Sequence, residues 1–355
     1  MDQDHARFAP SSMSRLMSCA GSLKMSELYA DDQEQSEEAI EGTLAAAVAA
    51  GRVLGKPFLH PDITDEMLEF ADQWVEICGP INNNCFIESW VDGSAIHPDC
   101  FGTPDFYRID RENSVVFVKD YKFGHKPVNN WWQLITYAIC IKTWLELDDS
   151  WTFDLAYYQP RAMHRDGPYR TWRVNADLLN ESLGDIQYQI DLALSNEALC
   201  KVGDGCYMCP GAHRCEALQK ASSALAEWFS SDTTPFDLTP EQESTELDRL
   251  ELAHEIIKNR IASIKQSIIG GLKHGKEGYS YVLESRPGRE VWHDGLETVK
   301  ILEALYNVTL VTEKPITPKQ AIAKKIPAEV VRQYSTTPMQ KEQLVKFKSK
   351  FNGES

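Results

Sequence analysis

Basic residues are in short supply in this chain. Its 355 residues include 36 Lys and Arg against 53 Asp and Glu, a formal net charge of −17. That balance excludes a protein that coats nucleic acid non-specifically, because phosphate binding needs a basic surface, although a local basic groove remains open to it. Long apolar runs are missing as well. The longest, such as LAAAVAA at 44–50, falls far short of the ~20 residues that cross a bilayer. The opening MDQDHARFAP has no apolar stretch of the kind a secretion signal needs. These absences predict a protein of the cytoplasm with no membrane association. Internal repeats are absent too, which excludes solenoids and arrays.

What the chain does have is apolar content, 43% of residues, enough for a substantial core in one large domain or two ordinary ones. Nine cysteines without a secretion signal read as reduced thiols and metal ligands rather than a disulfide framework. The acids concentrate at 31–41 and between Glu227 and Glu255, whereas the tail from Lys314 to Lys350 holds nine Lys or Arg against Glu329 and Glu342, a net of +7. That tail reads as a solvated end that could also touch DNA.

Periodicity gives the order of elements. Ser11 or Ser12 caps a short helix with Met13, Leu16 and Met17 on one side, and an alanine-rich helix follows, ending at Gly51 or Gly55. A helix from Thr64 to Cys78 places Met67, Phe70, Ala71, Trp74 and Ile77 at helical spacing. The period then changes to two, and CFIESWVDG, FGTPDFYRID and SVVFVKDYKF read as three strands of an antiparallel meander. A helix from Asn130 to Leu147, strands in WTFDLAYYQPR and PYRTWRV, and a helix from Asn175 to Leu199 complete an α/β domain with a mixed sheet. Further on, a long polar helix spans Thr239 to Leu272 with an apolar stripe of Leu247, Leu250, Leu252, Ile256, Ile257, Ile261 and Ile264. GYSYVLESRPGREVW then reads as a strand pair, with short helices near 296–306, 318–326 and 340–348.

The chemistry concentrates between Phe101 and Ala138. Asp105 falls on one predicted strand, and Asp120-Tyr121-Lys122 ends the next. Two carboxylates on adjacent strands make a sufficient core for Mg²⁺ or Mn²⁺, with the Tyr121 carbonyl as a further oxygen ligand. Strand alternation returns Lys122 to the face of Asp120, where its ammonium can orient a water or offset phosphate charge. Gln133 and Tyr137, four apart, share one face of the following helix. The plainer reading is an exposed Asp120–Lys122 pair and an ordinary amphipathic helix. Cys206, Cys209 and Cys215 have the spacing C-x₂-C-x₅-C, which fits thiolate ligation of a metal centre and leaves a fourth ligand to be found. Cys200 with this triplet, or His213 in place of one member, would also suit a structural zinc.

Taken in order, SSMSRLMSCAGS, AIEGTLAA, FIESWVD, FGTPDFYRID, VKDYKFG, NWWQLITYA and the cysteine triplet cover most of residues 8–220. This series resembles the RecB-like branch of the PD-(D/E)XK nucleases. Its cysteines resemble those of the iron–sulfur members, AddB-like helicase-nucleases and CRISPR-associated exonucleases. ALAEW, GYSYVLESRPGREVW and KKIPAEVV also look like phage-encoded members. The resemblance implies a restriction-endonuclease-like α/β core over 1–220, with a mixed central sheet flanked by helices, and a helical extension with a small β element over 221–355. It implies a metal-dependent DNA exonuclease of phage recombination, replication or genome processing, in the cytoplasm of a bacterial host cell. Asp105, Asp120 and the Tyr121 carbonyl would hold Mg²⁺ or Mn²⁺, Lys122 would aid the attacking water, and Gln133 and Tyr137 would position the scissile strand. Cys19 would join Cys206, Cys209 and Cys215 around a [4Fe-4S] cluster that closes the domain's ends.

The implied partner is DNA, as single strands or duplex ends, with a phage recombination or replication protein as a further candidate. Trp131, Trp132 and Tyr137 are candidates to stack on bases, core burial being the alternative for the tryptophans. One departure stands out. Where the family usually has a histidine at its metal site, this chain has Ala46. Glu38, Glu41 and Glu88 are the acids placed to compensate, each otherwise an ordinary solvated side chain. A nuclease fold retained as a DNA-end-binding or partner-binding scaffold is the rival reading.

Overall fold

The computed structural model describes residues 6–29, 37–128, 130–207, 209–229, 239–285, 291–292, 295–310, 317–336 and 343–346. Parts of the acidic run at 31–41, of the Glu227–Glu255 segment and of the basic tail lie outside these residues. Contacts divide the chain into two compact units, 1–264 and 265–355.

The first unit is a mixed α/β structure. Helices α1 (Pro10–Ser18), α2 (Ser22–Tyr29), α3 (Glu37–Val53) and α4 (Asp65–Cys78) precede the strands β1 (Cys85–Ile87), β2 (Val91–Asp92), β3 (Phe101–Gly102), β4 (Phe106–Asp110) and β5 (Val115–Tyr121). Helix α5 (Trp132–Trp144), strands β6 (Thr152–Tyr158) and β7 (Tyr169–Asn175), and helices α6 (Ala176–Leu194) and α7 (Glu216–Phe229) follow. The five-stranded sheet has the order β1-β4-β5-β6-β7. Only β5 and β6 run parallel, because α5 carries the chain back between them; the other neighbours are antiparallel.

Both faces of the sheet are covered, so the strand pattern is nearly continuous in apolar residues. On one face Val116, Val118, Phe153, Leu155 and Tyr157 pack with Leu134, Ala138 and Ile141 of α5 and Met13 and Leu16 of α1. On the other, Phe106, Tyr121 and Tyr158 pack with Ala45, Val48 and Ala49 of α3 and Met67, Ala71 and Trp74 of α4. Helix α4 begins as expected, with the Thr64 side chain accepting from Met67 N, and α6 with Asn175 accepting from Leu178 N. Arg161, in the β6–β7 loop, clasps the second layer: it reaches Glu41 of α3 at 2.8 Å and Glu66 of α4 at 3.7 Å.

Several expectations are corrected. The strand predicted over CFIESWVDG breaks after Ile87, because Glu88 takes φ +45° and turns the chain; β2 pairs with β3 instead. Helices α2 and α7 are additions to the predicted order, and α6 stops at Leu194 rather than Leu199. Helix α8 (Pro240–Lys273) is present, but Leu247, Leu250, Leu252, Ile261 and Ile264 are exposed, so its predicted stripe is not a buried face.

In the second unit, β8 (Tyr281–Glu284) and β9 (Val291–Trp292) do not pair with each other. β8 pairs with β11 (Gln343–Lys346), and β9 with β10 (Ser335–Thr336). A strand thus occupies 343–346 in place of the helix predicted over 340–348; the alternation in QLVK wins over helix-forming Lys and Gln. Helices α9 (Gly295–Tyr306), α10 (Pro318–Ala323) and α11 (Ala328–Gln333) surround a small core of Val299, Leu302, Leu310, Ala321, Ile326 and Val331. Among the described residues no helix is long and apolar enough to cross a membrane.

Candidate active site

The predicted acids, lysine and glutamine meet at one end of the large sheet. Asp120, on β5, lies opposite Tyr157 of β6, which lies opposite Arg170 of β7. Phe106 pairs with Lys119, so Asp105, one residue earlier, comes opposite Asp120 from the other side. Two placements differ from expectation: Asp105 sits on a bend just before β4, and Lys122 just after β5 ends, although Lys122 N still donates to Tyr158 O at 2.8 Å. Asp105 folds over the strand end, where its Oδ2 accepts from Tyr121 N at 2.7 Å. Lys122 Nζ lies 2.8 Å from Asp120 Oδ2, and Gln133 Nε2 donates to Asp120 Oδ1 at 2.7 Å. Tyr137 donates from its hydroxyl to Thr103 O at 3.1 Å, fixing the turn that carries Asp105.

The electrostatics follow from crowding two acids with little water. Burial raises the Asp105 pKa well above the ordinary carboxylate value, and the Asp120 charge adds to it, against relief from Lys122 and the Tyr121 N–H. Burial raises Asp120 as well, opposed by Lys122. Burial works against the Lys122 ammonium, but Asp120 and Asp105 outweigh it and its pKa is raised. Glu88 joins the group: its N–H donates to Asp105 O at 3.3 Å, and burial of its carboxylate, then the Asp120 charge, raise its pKa. Although Glu88 as a residue is exposed, it lines a cleft with Ala46, Ala49, Trp74, Asp105 and Tyr121. Among the described residues no three His, Cys, Asp or Glu side chains stand in a ready-made metal-binding arrangement.

Two residues that the sequence does not single out hold the loop between β5 and α5. Gln159, buried just after β6, donates to Gly124 O at 2.9 Å and Lys126 O at 2.8 Å, and its Oε1 accepts from Val128 N at 3.1 Å and from the Arg170 guanidinium at 2.8 Å. Arg170 also donates to Val128 O. A lone glutamine after a strand carries no signal of this in the sequence. Gln159→Leu would strip one partner from each of four polar groups, and at roughly 1–3 kcal/mol per buried orphan it is expected to destabilise the protein by about 3–5 kcal/mol. Denaturant unfolding reads this out, and a loss under ~1 kcal/mol would show that the loop does not depend on the clamp.

The stacking expectation is corrected in part. Tyr137 is buried, with its ring enclosed, so it offers no face to a base. Trp131 is half-buried, its ring 5.2 Å from that of Tyr157 and 5.6 Å from that of Trp172, and Trp132 packs against the main core.

The cysteines form a second cluster. Cys19, at the C-terminus of α1, lines one small cavity with Cys200, Cys206, Cys209 and Cys215. Lys201 N donates to Cys19 Sγ at 3.2 Å. Gly21 must be glycine: a Cβ there would come within 2.8 Å of Cys200 Sγ and 2.7 Å of Cys200 N. Burial, with the neighbouring thiols adding to it, pushes the Cys200 thiol up to about 12, and burial raises Cys206 and Cys209. Cys78, Cys100 and Cys140 are buried apart from this group, as small core residues.

Fold and site together define a mixed α/β protein with an acid–lysine cluster at one end of a five-stranded sheet and a thiol-lined cavity joining residue 19 to residues 200–215. By sequence the chain belongs to the DUF2800 family, described as a protein of unknown function, whose model matches residues 5–351. No curated protein matches it. Among solved structures, it is similar to an alkaline exonuclease (LHK-Exo) from Laribacter hongkongensis, at 12% identity and a TM-score of 0.27, over 53% of this chain and 89% of that one. So distant a likeness assigns neither fold nor activity.

Proposed function

We propose that the chain is a metal-dependent DNA exonuclease that hydrolyses phosphodiester bonds at the Asp105–Asp120–Lys122 end of the sheet. The observation that carries this reading is the convergence of two enclosed carboxylates and one ammonium, held by Gln133 and by the Tyr121 N–H, at an open strand end. A structural ion pair needs one acid; two acids forced together against burial form a site that favours an added cation. The donor set fits Mg²⁺ or Mn²⁺, since all its donors are oxygens. Asp105 and Asp120 would hold the ion, and the N–H and C=O of a strand residue point the same way, so the Tyr121 carbonyl faces the Asp105 side as well. When bound, the ion would polarise the attacking water and the phosphoryl oxygens.

The chain's own groups supply the rest. Lys122 orients the water that attacks phosphorus and offsets the charge that grows on the phosphate. Gln133 keeps Asp120 in one orientation, and Tyr137 anchors the turn before Asp105, so both act as positioning residues rather than as contacts to the DNA strand. The attacking water gives up a proton to solvent as its oxygen bonds to phosphorus, and as the P–O bond to the leaving nucleotide breaks, the leaving oxygen takes a proton from solvent. The phage setting rests on the sequence resemblance alone.

The same reading places a [4Fe-4S] cluster on Cys19, Cys206, Cys209 and Cys215. The donor set fits, being thiols that line a common cavity, and Cys200 is a fifth thiol at the same place.

End-labelled linear DNA incubated with the protein and Mn²⁺ tests the activity. Shortening from the ends is expected with Mn²⁺ and none with EDTA. If single-stranded and duplex substrates all stay intact, the nuclease reading fails and the scaffold reading replaces it.

A further inference from the structure

The helix side of the cleft has no donor to offer. Ala46, Ala49 and Ala50 present only methyl groups there. Two acids of α3 are otherwise placed: Glu41 is held by Arg161 at 2.8 Å, and Glu38 is exposed about two helical turns before Ala46. Across the cleft stands Glu88. The pairing of Ile87 with Phe106 brings Glu88 opposite Asp105, and its N–H donates to Asp105 O, so the backbone itself fixes the two acids side by side. The φ of +45° ends β1 at this residue and takes its side chain out of strand alternation.

We propose that Glu88 is the third carboxylate of the metal site, supplying from β1 the donor that Ala46 does not supply from α3. The proposal rests on the nuclease reading. Charge supports it independently of sequence resemblance. Glu88 and Asp105 line the cleft together, Asp120 lies beside Asp105 and is held by the ammonium of Lys122, so with all three acids ionised two negative charges are left over, which one divalent cation cancels. Position supports it too. Glu88 is exposed as a residue and Asp120 is buried, so the Glu88 side of the group is the side nearer solvent.

Mn²⁺ binding to the full-length protein, followed by electron paramagnetic resonance of free Mn²⁺ and by calorimetry, tests this without reference to cleavage. Glu88→Gln and Glu88→Gly are each expected to weaken Mn²⁺ by ~10-fold or more, while Glu38→Gln binds as wild type does. Glycine suits a positive φ, so the second variant keeps the turn and a loss of affinity in it reports on the carboxylate rather than on folding. If wild type binds Mn²⁺ and loses it in Asp120→Asn, but Glu88→Gly binds equally well, the assignment of Glu88 is overturned and the nuclease reading stands. If wild type binds no Mn²⁺ at all, both fall together.

Discussion

Asp105→Asn is expected to abolish DNA cleavage and, in EDTA at pH 8, to melt at a higher temperature than wild type. The two effects have one cause. Asp105 is held as an enclosed carboxylate beside Asp120, and its raised pKa means that the fold prefers it protonated. A carboxyl raised in the folded state contributes stability that is present at low pH and lost as pH climbs from the ordinary value of about 3.9 through the folded one. Above that window wild type therefore carries an ionisation cost that asparagine does not. The amide oxygen of the substituted side chain can still accept from Tyr121 N, and Lys122 keeps Asp120, so little else changes. The stability gain should shrink as pH is lowered towards 4, where the wild-type acid is protonated, and each kcal/mol is worth roughly 2–4 °C in a domain of this size. Removing one metal ligand should slow cleavage by about 10³-fold or more. Thermal melting across pH with EDTA, beside a nuclease assay with Mn²⁺, reads both. A variant less stable than wild type at pH 8 would show that the acids are not in conflict in the free protein.

Much of this site was legible in the chain because it is local. Asp120 and Lys122 are two apart on an apolar strand, and Gln133 and Tyr137 four apart on the next helix, so spacing alone predicts which share a face. Helices α3 and α4 were legible for the same reason, since each buries one face, whereas α5 is buried all round from Gln133 to Ile141 and shows in the sequence as a nearly continuous apolar run. What escaped depends on backbone geometry or on partners distant in sequence. Glu88 breaks a run that alternates well enough to read as one strand, and no residue type near it announces a positive φ. Gln159 and Arg170 reach a loop more than thirty residues upstream, and a single polar residue has no period to reveal that. Helix α8 shows the converse: its apolar residues recur at helical spacing, yet many of them are exposed. Periodicity shows that a helix can form, and burial needs a partner that periodicity does not name.

Freshly purified under anaerobic conditions, the wild-type protein is expected to be brown, and Cys209→Ser colourless and much less stable. Cys19 and the triplet are nearly two hundred residues apart in sequence yet line one cavity, so a cluster bound there cross-links the first helix to the segment that follows α6. A link closing a loop of about 100 residues is worth ~4–5 kcal/mol in the chain-entropy model, and a longer loop slightly more, since the cost grows only logarithmically. Metal–thiolate bonds would also stabilise the thiolate forms that burial disfavours at Cys206 and Cys209. Losing one ligand should therefore cost both the visible absorbance and several kcal/mol. Cys200→Ser separates the ligands from the bystander: with Cys19, Cys206, Cys209 and Cys215 as the set, it stays brown. Iron, sulfide and zinc analysis of the same samples completes the test. Zinc at one per chain, with no iron and no colour in wild type, would replace the cluster with a structural zinc site, and colour lost in Cys200→Ser but retained in Cys206→Ser would exchange those two ligands.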